Sequence, residues 1–366
     1  MSDNPTSTTP LNVVLYWHMH QPEYRDLRNG EYHQPWTYLH TIKDYVDMAA
    51  HLENNTQARA VVNFAPVLLE QIDDYGQQLQ DYLHHGKALR DPLLAALAGP
   101  VMPSDREAQL RIIKACLRAN KARLVDRFEV FKNLSKMARA ALKNPETLNY
   151  YSEQFFADLL VWYHLAWTAE NVRLTEPRIQ AITSRAKNFT LHDRHSLIEI
   201  IADLVVGVIE RYKKLADAGR IELSMTPYAH PILPLLLDLK SARQAMPEAV
   251  LPNASTYPGG EARSHWHMQK GLEVFRKYFG REPQGCWPSE GSISSDTIEL
   301  ISKAGIHWLA SGDTVLKNSL LKSGIQPDEC MHEVYQYRDA PVACFFRDDM
   351  INIKKTKTRG GKKIAE

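Results

Sequence analysis

Six short apolar segments rich in β-forming residues punctuate the chain, and most of them run into polar residues. They are LNVVLY at 11–16, followed by WHMHQP; ARAVVNF at 58–64; RIELSM at 220–225; QGCW at 284–287; IHWLA at 306–310; and PVACFFR at 341–347. Runs of this length predict buried strands that deliver polar groups at their C-terminal ends. Stretches of helical period lie between them at 41–54, 241–249, 264–278 and 294–304, the first with Met48, Ala49 and Leu52 as an apolar stripe. Alternating strands and helices predict an α/β fold with a parallel sheet wound as a barrel. From about 65 to 219 the pattern is mostly helical, with long segments at 111–137, 151–168 and 197–217 and breaks at Pro145 and Pro177. This is a large helical insertion between the second and third strands.

Composition agrees with this picture. Of 366 residues, 44% are hydrophobic and 24% charged, which excludes disordered and fibrous chains. The longest apolar stretch, 197–209, is interrupted by Glu199 and Asp203, so no membrane span of about 18 residues is expected. The first ten residues, MSDNPTSTTP, lack the basic start and apolar core of a secretory leader. Cys116, Cys286, Cys330 and Cys344 show no zinc-type spacing and fit reduced thiols in the cytoplasm. The net charge of +1 hides an asymmetry. Residues 352–366 hold six basic residues and one acid, so a tail of +5 leaves −4 on the rest. A body of that charge offers no case for nucleic-acid binding, and the tail is expected to be a solvated, disordered end.

In a parallel α/β barrel the reactive groups sit at the C-terminal ends of the strands. Here those ends carry His18, His20, Gln21 and Pro22; Asn63; Glu222 and His230; Trp287 and Glu290; Ser311 and Asp313; and Arg347, Asp348 and Asp349. Aromatic faces with carboxylates, imidazoles and a guanidinium suit a sugar, whose apolar face stacks and whose hydroxyls hydrogen-bond. Each feature also has a plainer reading. His18 and His20, at i and i+2, share a strand face; they could bind substrate, hold a metal with a further ligand, or be satisfied histidines at a strand end. Glu290 in GCWPSEGSIS could be an acid favoured near a helix N-terminus. Glu222 could lie on an exposed strand face, His230 in a loop, and Trp17, Trp287 and Trp308 in the core.

Taken together, HMHQP (18–22), GRIELSMTPYAHPILPLL (219–236) and GCWPSEGSIS (285–294) resemble three signature regions of glycoside hydrolase family 57, which holds α-amylase-type, branching and 4-α-glucanotransferase enzymes. YPGGEARSHWHMQKGLEVF and CFFRDDM extend the resemblance, which runs from about 11 to 349. It implies a distorted (β/α)7-type barrel, no cofactor, no essential metal, and a retaining mechanism on an α-glucan or maltooligosaccharide. By position Glu290 matches the nucleophile. His18, His20, Gln21, Glu222, His230, Trp287, Arg347 and Asp348 are expected around the sugar. A retaining enzyme also needs a second carboxyl group about 5–5.5 Å away as general acid.

That acid is where the resemblance stops. The family carries it in a later, Asp-Gly-Glu-like region, and this sequence has no Asp-Gly-Glu. Family likeness ends near Met350 in a Lys/Thr/Gly string, so the expectation is a barrel over 11–350, incomplete at its C-terminal end, with a non-family tail over 351–366 such as a frameshift would leave. Asp348 beside Arg347 would ionise readily, the wrong direction for an acid. The rival expectations are an inactive or glucan-binding fragment, and a metal-dependent polysaccharide deacetylase-like hydrolase built on His18 and His20. The sequence does not indicate an oligomeric state.

Overall fold

Seven strands make one sheet in the computed structural model, which describes residues 13–348 except 255, 328–330 and 332, together with 358–359 and 362–363. They are β1 (Tyr16–Met19), β2 (Ala60–Phe64), β3 (Ile221–Met225), β4 (Gly285–Cys286), β5 (Trp308–Gly312), β6 (Tyr335–Gln336) and β7 (Ala343–Arg347). Their order is β1-β2-β3-β4-β5-β7-β6. All neighbours are parallel except β6, which pairs antiparallel with β7. The sheet forms a half-barrel with helices around it.

The register separates two kinds of row. Met19, Phe64, Met225, Cys286, Leu309 and Cys344 lie side by side across six strands, and all are buried. This outward row packs under the helices: Phe64 meets Tyr212 of the Leu191–Asp217 helix and Phe279 of the Gly260–Phe279 helix, with ring centroids 5.1 and 5.4 Å apart. One residue back, His18, Asn63, Ser224, Gly285, Trp308 and Ala343 form the neighbouring row. Side chains alternate along a strand, so this second row faces the opposite way, into the half-barrel.

Gly285 is needed in that row. A Cβ there would sit 2.0 Å from Cε2 of Trp308, so the indole lies directly on the β4 backbone. Trp308 Nε1 donates to Glu222 Oε1 at 2.6 Å, linking β5 to β3 across it.

The helical region between β2 and β3 is present and shares the core of the sheet. Several sequence expectations shift in detail. The helix expected over 111–137 is two, Arg106–Cys116 and Glu129–Lys143. Asn120 divides them by leaving helical φ/ψ and accepting the Arg123 N–H as a cap. The helix expected over 241–249 is only Ala242–Ala245. β1 begins at Tyr16, where the expected strand ended, because its ladder partners start at Val61. Val13 and Val14, within the expected strand, are 69% and 68% exposed. β6 was not anticipated.

Cys116, Cys286 and Cys344 are buried free thiols; Cys330 lies outside the described residues. Among those residues no helix is long and apolar enough to cross a membrane. The basic tail lies almost wholly outside them.

Candidate active site

β1 carries His18, and His20 follows just past its end. His230 arrives from the loop after β3 in the left-handed region, φ 58°, with its N–H donating to Pro227 O at 2.9 Å. The rings gather at the C-terminal end of the sheet. His20 and His230 stack with centroids 4.0 Å apart and 20° between planes. His18 lies 5.7 Å from His20 and 5.4 Å from His230. One nitrogen from each falls within 4.8 Å of the others.

Glu290 stands beside this group. Its turn follows β4, with φ 56° at Glu290 and 68° at Gly291. The Gly291 N–H closes the turn on Pro288 O at 2.7 Å, and the Ser311 hydroxyl ties it to β5 by donating to Gly291 O at 2.5 Å. Glu290 Oε1 is 4.0 Å from His230 Nδ1; the glutamate side chain is 77% exposed and the imidazole 7%. A solvent-facing carboxylate thus meets a buried imidazole. Left-handed backbone costs about 1–3 kcal/mol for a residue with a Cβ, and such residues cluster at functional sites.

Burial sets the electrostatics. It pushes His20 down to about 3, helped by the neighbouring His230 and His18. It also lowers His230, against the opposing pull of Glu290. Both rings are therefore neutral at pH 7. Each presents a buried Nε2 without a hydrogen-bond partner among the described residues.

A polar relay orients His18. Its Nδ1 lies 2.6 Å from Asn63 Oδ1. Asn63 Oδ1 also accepts from the Thr226 hydroxyl at 2.9 Å, while Asn63 Nδ2 donates to Ser224 Oγ at 3.1 Å. With the amide so oriented, Oδ1 is the acceptor and His18 carries its proton on Nδ1. Tyr16 Oη reaches Ser224 Oγ at 3.2 Å. Trp287, 7% exposed, has its ring 5.6 Å from Tyr16 and 6.1 Å from His18, and the Arg347 guanidinium lies 5.3 Å over its centre.

The structure thus brings together His18, His20, His230, Glu290, Trp287 and Arg347. Gln21 is turned to Tyr24, whose hydroxyl donates to Gln21 Oε1 at 2.9 Å. Asp348 follows Arg347 and helps line a cavity of about 190 Å3 with Asp313 and Phe346. Asp349 lies outside the described residues. Glu222 is not at the cluster. It sits near the start of β3 and lines a cavity of about 690 Å3 at the N-terminal end of the strands, with Leu15, Arg59, Arg220 and Arg281. Sequence reasoning did not single out Tyr16, Ser224 and Thr226. The signal was the two-residue alternation that puts Tyr16 on the face of His18, and Ser224 and Thr226 on a common face.

The glycosyl hydrolase family 57 model matches residues 14–356. Among solved structures, the α-amylase AmyC from Thermotoga maritima is similar with a TM-score of 0.47 and 11% identity, over 92% of this chain and 45% of that one. A family 57-type branching enzyme from Pyrococcus horikoshii gives 0.44 and 15%, over 93% and 48%. The 4-α-glucanotransferase from Thermococcus litoralis gives 0.38 and 10%, over 94% and 29%. The chain spans less than half the length of each of these structures. No curated protein matches it.

Proposed function

The chain belongs to glycosyl hydrolase family 57, and from that premise we propose that it acts on α-glucans by a retaining mechanism with Glu290 as nucleophile. The observation that carries this reading is the placement of Glu290 Oε1, 4.0 Å from His230 Nδ1 and exposed above the imidazole cluster. A nucleophile must be ionised and accessible.

The steps follow from the groups present. Neutral His20 and His230, with His18 held by Asn63, hydrogen-bond the sugar hydroxyls, and Trp287 with Arg347 forms a wall of the site. Gln21 and Asp348 border it. Glu222 acts at a distance, by holding Trp308. A Glu290 oxygen attacks the anomeric carbon as the bond to the leaving oxygen breaks. The glycosyl ester is then opened by water, giving hydrolysis, or by a sugar hydroxyl, giving transfer.

The general acid is assigned to none of these residues. Turnover is therefore read on aryl α-glucosides, whose phenolate leaves without a proton, whereas unactivated maltooligosaccharide needs the acid catalysis that typically contributes about 10²–10⁴-fold.

The test is to trap the ester with a fluorinated glucosyl fluoride and locate the adduct by peptide mass spectrometry. A fluoroglucosyl mass on the peptide holding Glu290, absent in Glu290→Gln, supports the reading. Aryl glucoside turnover that persists in Glu290→Gln refutes it. Glucan binding without turnover in the native chain identifies a binding fragment instead.

A further inference from the structure

Beyond the sugar chemistry, we infer that His18, His20 and His230 form a binding site for one divalent transition-metal ion of the zinc class. Three observations point there. First, one nitrogen from each ring lies within 4.8 Å of the others, and they come from two separate strand ends. Tetrahedral zinc with Zn–N of about 2.0–2.1 Å sets nitrogens about 3.3 Å apart, so small ring rotations close the set.

Second, the surroundings of His18 are those of a metal ligand. A metal-binding histidine almost always gives its other N–H to a carbonyl or carboxylate, which fixes the tautomer. His18 gives Nδ1–H to Asn63 Oδ1 at 2.6 Å, and Asn63 is held in turn by Ser224 and Thr226. Its Nε2 therefore carries the lone pair.

Third, the Nε2 atoms of His20 and His230 are buried without a hydrogen-bond partner among the described residues, in rings stacked 4.0 Å apart. Unpaired buried nitrogens are costly, and a shared cation satisfies them.

Three imidazoles select zinc, nickel, cobalt or copper over magnesium or calcium, which prefer oxygen. A fourth position stays open to water or to Glu290, whose Oε1 is 4.0 Å from His230 Nδ1. An ion there occupies the nitrogens assigned above to the sugar, so zinc excludes the sugar and takes no part in the glycosidic reaction.

The experiment is titration of the metal-stripped full chain with zinc chloride, followed by calorimetry, without sugar. The expected result is one ion per chain with micromolar or tighter affinity. That affinity falls at least tenfold in His20→Ala and in His230→Ala, with circular dichroism unchanged. Asn63→Ala, which touches no ion, weakens it by about tenfold through His18. Cobalt(II) in place of zinc gives the visible absorption of a four-coordinate site. His84 and His85, neighbours on one helix with ring centroids 6.3 Å apart, are the control pair. Absence of stoichiometric zinc, binding that survives His20→Ala in a folded variant, or binding lost in the His84→Ala/His85→Ala double variant overturns the inference. Because no sugar is present, this outcome is separate from the trapping test of Glu290.

Discussion

Asn63 Oδ1 accepts the Nδ1 proton of His18 at 2.6 Å, across the β1–β2 ladder in which the two residues are direct partners. The bond is backed by Ser224 and Thr226, so one amide decides which nitrogen of His18 faces a ligand. Asn63→Leu keeps the volume but removes both functions of the amide. It removes the partner of the buried Thr226 hydroxyl and leaves Ser224 Oγ with Tyr16 Oη, an expected cost of about 1–3 kcal/mol, read as a lower urea midpoint. Aryl glucoside kcat falls in the same variant, and Asn63→Gln does not restore it, because the longer arm cannot keep the register.

Gly285 tests the inner wall. A Cβ there meets the Trp308 indole at 2.0 Å, and no small movement relieves it because the ring also holds Glu222. Gly285→Ala is expected to destabilise by about 1–3 kcal/mol, the usual range for overpacking. Displacement of Trp308 from Glu222 should shift its fluorescence. A variant with wild-type emission and midpoint would contradict this packing.

Sequence alone showed the strands well and their register poorly. The run VVNF was readable as a short apolar, β-branched segment that became β2, whereas the first strand was expected over 11–16 and begins at Tyr16. The axial position of a residue depends on its neighbour strand, which local sequence does not encode. Hence Glu222 was expected near the substrate, although it pairs with Val61 and lies level with Tyr16, short of the imidazoles. β6 escaped notice because two residues, Tyr335 and Gln336, carry no period at all. The meeting of His20 with His230 is a tertiary contact. The family resemblance, which put both around the sugar, hinted at it, and composition did not.

Glu290 occupies left-handed backbone at φ 56°, a conformation that costs a non-glycine residue roughly 1–2 kcal/mol. Part of that gain is lost to the greater unfolded-state entropy of glycine. Glu290→Gly is therefore expected to raise stability by about 0.5–1 kcal/mol while abolishing glucosyl trapping. Glu290→Gln abolishes trapping without the stability gain. Matched thermal melts of the two variants check this; a destabilised Glu290→Gly would mean that the carboxylate holds the turn together.

Asp91 gives the fold a pH signature away from the site. It is buried at the head of the Pro92–Ala98 helix, where Oδ1 accepts from Leu93 and Leu94 N–H at 2.9 and 3.1 Å and Oδ2 accepts from the Tyr75 hydroxyl at 2.8 Å. Burial nevertheless pushes its carboxyl up to about 6, from an ordinary value of 3.8. Between these values the native state binds the proton and the unfolded chain does not, so this residue's contribution to stability improves as pH falls from about 6 to about 4. Asp91→Asn keeps the cap and removes the titration. The stability of the native chain relative to Asp91→Asn should therefore rise across that window on acidification and stay level above it. Asp91→Ala loses the cap and strands the Tyr75 hydroxyl, costing about 2–4 kcal/mol at pH 7. Urea unfolding of the three chains at several pH values reads both effects, and a native-minus-Asn difference that shrinks toward pH 4 would show that the hydrogen bonds outweigh the burial.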